Sequence, residues 1–76
     1  MKSTHSQQYG ALREALKQAR IDKGLTQKAV AERLNVQQSF VSKYENGERR
    51  LDVVEFIAVA KALNVDYRNV LQSAGL

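Results

Sequence analysis

Seventy-six residues with a net charge of +4 amount to one domain, whose core lies near the lower limit for folding alone. With no Cys and a single His, His5, the chain has no disulfide framework and no thiolate metal site. No apolar run approaches the roughly 18 residues of a membrane span, and the opening MKSTHSQQYG lacks a signal-peptide segment, so the expectation is a soluble, cytoplasmic protein.

No Pro occurs, and the apolar spacing is helical throughout. Residues 1–6 are expected to form a flexible N-terminal tail, in which Lys2 and His5 could instead make a basic arm. A first helix is expected from about Gln7 to Asp22, with Leu12, Leu16 and Ala19 on one face and Gly24 as its left-handed stop. A second starts after Thr26, a good N-cap, and runs to about Leu34 with Val30 and Leu34 inward. A third runs from about Gln38 to Glu45 and ends at Asn46-Gly47. The fourth starts after Asp52, which has the capping spacing to Glu55. Its buried stripe is Val53, Phe56, Ile57, Ala60 and Leu63. Asp66 can cap a short fifth helix carrying Val70 and Leu71. The tripeptide Leu-Asn-Val occurs at 34–36 and again at 63–65, which reads as one left-handed turn used twice. The fold class is therefore all-α, a five-helix bundle forming a single domain over residues 7–76.

The third helix carries the functional signal. At 100° per residue, Val41 and Tyr44 define its inward side. Ser39, Ser42 and Lys43 fall opposite, with Gln38 and Phe40 on the flanks. A face of amides and hydroxyls differs from the Glu/Lys surface usual on a solvated helix. The second helix precedes it across a tight turn at Asn35-Val36, and two short helices so spaced form a helix-turn-helix, whose second helix can enter a DNA major groove. The chemistry suits base edges: a Gln amide can pair with adenine, Lys can donate to guanine, and a flat Phe can touch a thymine methyl. A helix face rich in Gln and Ser by chance is the plain alternative. Charge points the same way. Residues 1–50 hold ten Lys/Arg against five Asp/Glu, and residues 51–76 hold two against three, so the basic character lies in the half that contains this helix.

The segment GLTQKAVAERLNVQQSFVSKYENG, residues 24–47, resembles the helix-turn-helix of the phage repressor and Cro (XRE-type) family. The likeness rests on Leu25-Thr26-Gln27, Ala31, Val36, Ser42 and Glu45-Asn46-Gly47. It extends to Arg20 upstream and AKALNV at 60–65 downstream. Three departures stand out: Asn35 where the family usually has Gly, a loop GERRLD without Pro, and a bulky Phe40. The resemblance implies that Gln27 binds a phosphate and braces Gln38. It also implies that Arg20 and Glu45 form a structural ion pair between the first and third helices.

Together these readings assign Gln38, Ser39, Lys43 and Phe40 to base edges, and Gln27, Ser42, Asn46, Arg49 and Arg50 to phosphates. Asn46 could cap its helix as well. The expected activity is that of a transcription regulator, a repressor binding a palindromic double-stranded DNA operator as a homodimer. Tyr67, Val70, Leu71 and Leu76 are the candidate dimer surface, although Val70 and Leu71 could simply close the monomer core. The alternative is an antitoxin or adaptor module that uses the same fold to hold a protein encoded by a neighbouring gene; an apolar patch around Phe40 would favour it. A phage regulator, a restriction-modification controller and an antitoxin are not separable at this level. No cofactor is implied, no metal site, and no catalytic residues: there is no His/Cys/carboxylate cluster and no nucleophile with an evident base.

Overall fold

The computed structural model describes residues 6–76. Their elements are α1 (Gln7–Asp22), α2 (Gln27–Leu34), α3 (Gln38–Asn46), α4 (Val53–Ala62) and α5 (Tyr67–Ser73), so the expected all-α architecture is observed. Local chemistry sets most of the boundaries. Ser6, Thr26 and Asp52 each accept the backbone N–H three residues on, and Asp66 accepts that of Arg68. Each thereby satisfies one of the N–H groups that a helix start leaves orphaned. Asp52 and Glu55 complete a reciprocal capping box. Ser6, assigned to the tail from sequence, is thus the cap of α1. Lys2 and His5 lie outside the described residues.

The repeated Leu-Asn-Val is the same turn twice. Asn35 and Asn64 have φ of 58° and 57°. After them the Val36 N–H bonds Ala31 O and the Val65 N–H bonds Ala60 O, both at 3.0 Å. Asn tolerates this left-handed geometry better than other residues with a side chain. The two valines differ in packing: Val65 lies against the core, whereas Val36 is exposed.

Leu16, Val30, Val41, Tyr44, Val59 and Leu63 are the largest fully buried side chains. They come from four helices: α1 packs on α3 and α5, α2 on α3 and α4, and α4 on α5. Phe56, Val59 and Ala60 are the buried stripe of α4, continued by Leu63 at its C-cap. The expectation for Val53 is corrected, since it is 73% exposed. It lies in the first turn of α4, and Leu51 packs against the core from the preceding loop instead. Arg33 of α2 donates to Ala62 O at 2.8 Å, tying the last turn of α2 to the last turn of α4.

The turn at residue 35 generates a prediction. An L-residue without a short polar side chain costs about 1–2 kcal/mol in this conformation. Asn35→Val is expected to lower the unfolding free energy by about that amount, and Asn35→Gly to leave it unchanged or raise it. Urea denaturation of the three proteins checks this; equal midpoints for Val and Asn would contradict it.

Candidate nucleic-acid interface

The polar side of α3 is open. Gln38, Ser39, Lys43 and Asn46 are exposed and Ser42 is half-buried. Gln37 stands at the N-cap without a side-chain cap bond, so α3 begins without the side-chain oxygen that caps the other four helices. At its far end Asn46 Nδ2 reaches Ser42 Oγ only at 3.5 Å, and the helix closes at Gly47, φ 81°. There the Glu48 N–H bonds Lys43 O at 2.8 Å.

The inner side of α3 is fixed by a buried acid. Glu45 is 4% exposed. Arg20 grips its carboxylate with two bonds, Nε to Oε2 at 2.7 Å and Nη2 to Oε1 at 3.1 Å, which is the fork geometry that favours Arg over Lys. The Gln27 amide, expected to brace Gln38, donates instead to Glu45 Oε1 at 3.0 Å. Arg20 Nη1 also holds Leu25 O at 2.9 Å. The expected ion pair is therefore present, and it unites the end of α1, the entry to α2 and the end of α3. Its hydrogen bonds to Glu45 hold the Arg20 guanidinium above its ordinary range, against the opposing effect of burial. Burial, reinforced by the adjacent carboxylate, pushes the Tyr44 phenol up, so the ring packs in the core uncharged.

Two further contacts on this side were not read from the sequence. Arg13 Nη1 donates to Glu45 O at 2.9 Å, satisfying a carbonyl in the last turn of α3. The same guanidinium lies so close to Gly47 that a Cβ there would meet its Cζ at 3.2 Å, so Gly47 serves both the left-handed turn and this approach. Tyr9 Oη accepts the Leu51 N–H at 3.1 Å, and the Arg50 guanidinium lies over the Tyr9 ring, 4.0 Å from its centroid. A signal for both existed: residues 9, 13, 16 and 20 recur at i, i+4, i+7 and i+11, one stripe of α1.

The loop from Gly47 to Asp52 presents its two arginines differently. Arg49 is half-buried. It bonds both oxygens of Glu55, at 3.0 and 2.7 Å, and it also donates to Arg50 O. Its guanidinium covers the Phe40 ring at 4.6 Å. Glu55 Oε1 receives the Asp52 N–H as well. These bonds, Arg49 foremost, lower the Glu55 carboxyl to about 2. Phe40, expected on a flank, is partly buried and meets Tyr44 edge-on at 5.8 Å. Arg50 is exposed.

The candidate dimer surface is divided. Val70 is 5% exposed and belongs to the core, and Leu71 packs partly against it, so these two help to close the monomer. Tyr67 and Leu76 remain exposed, and so do Val53 and Val54. Among the described residues, no helix is long and apolar enough to cross a membrane, and no group of three or more His, Cys, Asp or Glu could hold a metal ion.

Comparison with known proteins fits this geometry. A family model described as helix-turn-helix matches residues 16–68. Among solved structures, the chain is similar to an XRE-family like protein from Pseudomonas syringae pv. tomato (44% identity, TM-score 0.89, 97% of this chain and 90% of that one). It is also similar to the clp gene regulator ClgR from C. glutamicum (31%, 0.83, 90% and 88%). A third likeness is to the restriction-modification controller protein C.AhdI from Aeromonas hydrophila (27%, 0.74, 82% and 94%). Comparison with curated protein sequences gave no match.

The ion pair sets the prediction for this site. Arg20→Ala would leave the Glu45 charge buried with one weak neutral donor, Gln27, a change that costs about 3 kcal/mol or more. The expected result is a much lower melting temperature, with DNA binding lost only as far as the fold is lost. Calorimetry alongside binding at a temperature where the variant is still folded separates the two. Unchanged stability with abolished binding would make Arg20 a DNA contact instead.

Proposed function

The chain belongs to the XRE-type helix-turn-helix family, and from that membership we propose that it is a DNA-binding transcription regulator, acting as a repressor by occupying its operator. The observation that carries this reading is the open face of Gln38, Ser39 and Lys43 on a helix whose opposite side is fixed through Glu45. Gln38 and Ser39 lie in the first turn, which reaches deepest when such a helix enters the major groove. In this reading Gln38 pairs with adenine, Lys43 donates to guanine or to a phosphate, and Ser39 takes either role. Phe40 offers only the outer edge of a ring already engaged with Tyr44 and Arg49. Gln27, Ser42, Asn46 and Arg50 serve the phosphates. Arg49, committed to Glu55, contributes mainly by shaping the loop.

A homodimer on a palindrome is the second part of the proposal. One recognition helix reads a few base pairs, too little to single out a site among a genome's competitors. The body measures 35 × 23 × 20 Å, so two copies side by side can place their α3 helices about 34 Å apart, one turn of DNA. Since Val70 and Leu71 are engaged in the monomer, the joining surface is proposed to centre on exposed Tyr67, with Val53 and Val54 of α4. Leu76, exposed at the C-terminus, is kept as a peripheral member. The alternative, a module that holds a neighbour-encoded protein, called for an open apolar patch around Phe40. That ring is covered by Arg49 instead, so no observation favours it.

Two predictions follow from the roles assigned here. Selection from random duplex DNA is expected to yield a palindrome. Gln38→Ala should then relax preference at one base position in each half-site, weakening binding there by roughly 1–3 kcal/mol; an unchanged preferred site would mean that α3 is not the reader. Inserting about five base pairs, half a turn, between the half-sites should turn them to opposite faces of the duplex and abolish joint binding. Affinity that survives the insertion would mean two independent monomers.

A further inference from the structure

We propose that Gln37, the residue just before α3, is a further specificity-determining residue: its side-chain amide reads the base pair next to the one read by Gln38. The proposal rests on the DNA-binding reading above and adds one side chain to the open face of α3. Four of the five helices begin on a side chain that caps them: Ser6, Thr26, Asp52 and Asp66. Gln37 occupies the same place in α3, with the extended backbone of a cap (φ −76°, ψ 152°), yet it makes no side-chain cap bond. Ser, Thr, Asp and Asn cap well because their oxygen lies close enough to the chain to meet an N–H two or three residues on. A Gln in this place gives that bond up. The core does not take the side chain either. By helical count position 37 falls nearly in phase with Val41 and Tyr44, which are buried, whereas Gln37 is exposed. Residues 35–39 are all exposed, so Gln37 lies in the middle of the open end of the helix-turn-helix, committed neither to the cap nor to the core. A Gln amide carries a donor and an acceptor side by side, the pair that matches the N6 and N7 edge of adenine in the major groove. Neighbouring Cα atoms are about 3.8 Å apart, close to the roughly 3.4 Å rise between stacked bases, so amides at 37 and 38 suit adjacent steps of the duplex.

The test uses the full chain and the site obtained by selection from random duplex DNA. A native chain that selects no sequence would defeat the DNA-binding reading itself, separately from Gln37. Binding to the selected site, to its single-base variants and to a mixed-sequence duplex is measured at one salt concentration for the native chain, Gln37→Ser, Gln37→Ala and Gln38→Ala, together with each melting temperature. Gln37→Ser supplies a capping oxygen, so it should melt about 2–6 °C higher than the native chain, and a loss of binding then cannot come from a loss of fold. It should bind the selected site roughly 5- to 150-fold more weakly and lose preference at one base position, adjacent to the position relaxed by Gln38→Ala. Its affinity for the mixed-sequence duplex should stay within about two-fold of the native value, because phosphate contacts carry no sequence information and base contacts do. Gln37→Ala should show the same loss of preference without the gain in melting temperature, which separates the amide from the cap. The proposal fails if Gln37→Ser keeps the native preferences. It fails equally if the mixed-sequence duplex is weakened as much as the selected site, since the amide then holds a phosphate, or if the relaxed position is the one that Gln38→Ala relaxes, since Gln37 then acts through Gln38. A Ser variant that melts no higher than the native chain would overturn the premise that Gln37 leaves α3 short of a cap, and the proposal with it.

Discussion

The placement of α3 depends on one buried carboxylate. Glu45 sits in the last turn of α3 with its side chain 2% exposed. A charge so placed is tolerated only if its oxygens are occupied, since desolvation costs several kcal/mol per ion and attraction alone rarely returns more. Arg20 and Gln27 occupy them, and each comes from a different helix. Orientation follows from this. A hydrophobic contact such as Val41 against its neighbours can slide by a fraction of an ångström at little cost. A forked pair cannot, because its bonds are directional. The carboxylate therefore fixes the rotation of α3 about its own axis, and that rotation decides which side chains face outward. Gln38 is the residue most exposed to error here, because it sits two turns from the clamp and a small twist at Glu45 is carried along the helix to it.

Behind this clamp stands a stripe of α1 that meets the third helix and its exit at three levels. Arg20 holds the Glu45 carboxylate, Arg13 holds the Glu45 carbonyl, and Tyr9 holds the Leu51 amide. Leu16, fully buried, lies between them. α1 thus orders the end of α3 and the loop after it. The support comes from outside α3, acts on its inner face and its last turn, and leaves Gln38, Ser39 and Lys43 exposed. Gly47 is the point where these contacts meet: it takes the left-handed turn without strain and leaves room for the guanidinium of Arg13.

What was legible in the sequence is what is local. Thr26, Asp52 and Asp66 cap their helices through atoms two or three residues away, and the two Leu-Asn-Val turns close within six residues, so composition and spacing suffice to find them. The outward set Gln38, Ser39 and Lys43 was legible for the same reason, since helical phase depends on counting alone. The Arg20–Glu45 pair spans 25 residues and was read through the family likeness, not from spacing. Contacts that span greater distances had no such help: Arg13 to Glu45 crosses 32 positions and Tyr9 to Leu51 crosses 42. Val53 was misplaced because periodicity says which face a residue shares but not where the core ends along the helix. Val70 was placed at an interface because apolar content does not say which partner, the monomer or a second copy, buries it.

The loop after α3 shows how a small domain distributes charge that it can ill spare. With a core near the lower size limit, it has little apolar surface with which to fix a connecting segment, and polar contacts take over that task. Arg49 lies on Phe40 and joins Glu55, which at the same time closes the capping box of α4; Phe40 in turn meets Tyr44. The chain of contacts runs from the core through the loop to the start of α4 without a gap. Both partners of the Arg49–Glu55 pair are partly open to water, so solvent weakens their attraction; the Phe40 ring beneath the guanidinium and the bond to Arg50 O add to what holds Arg49. The bulky aromatic at position 40, an odd choice for a surface meant to slip into a groove, is thereby accounted for as packing. The smaller polar groups beside it, Gln38, Ser39 and Lys43, are the ones left exposed.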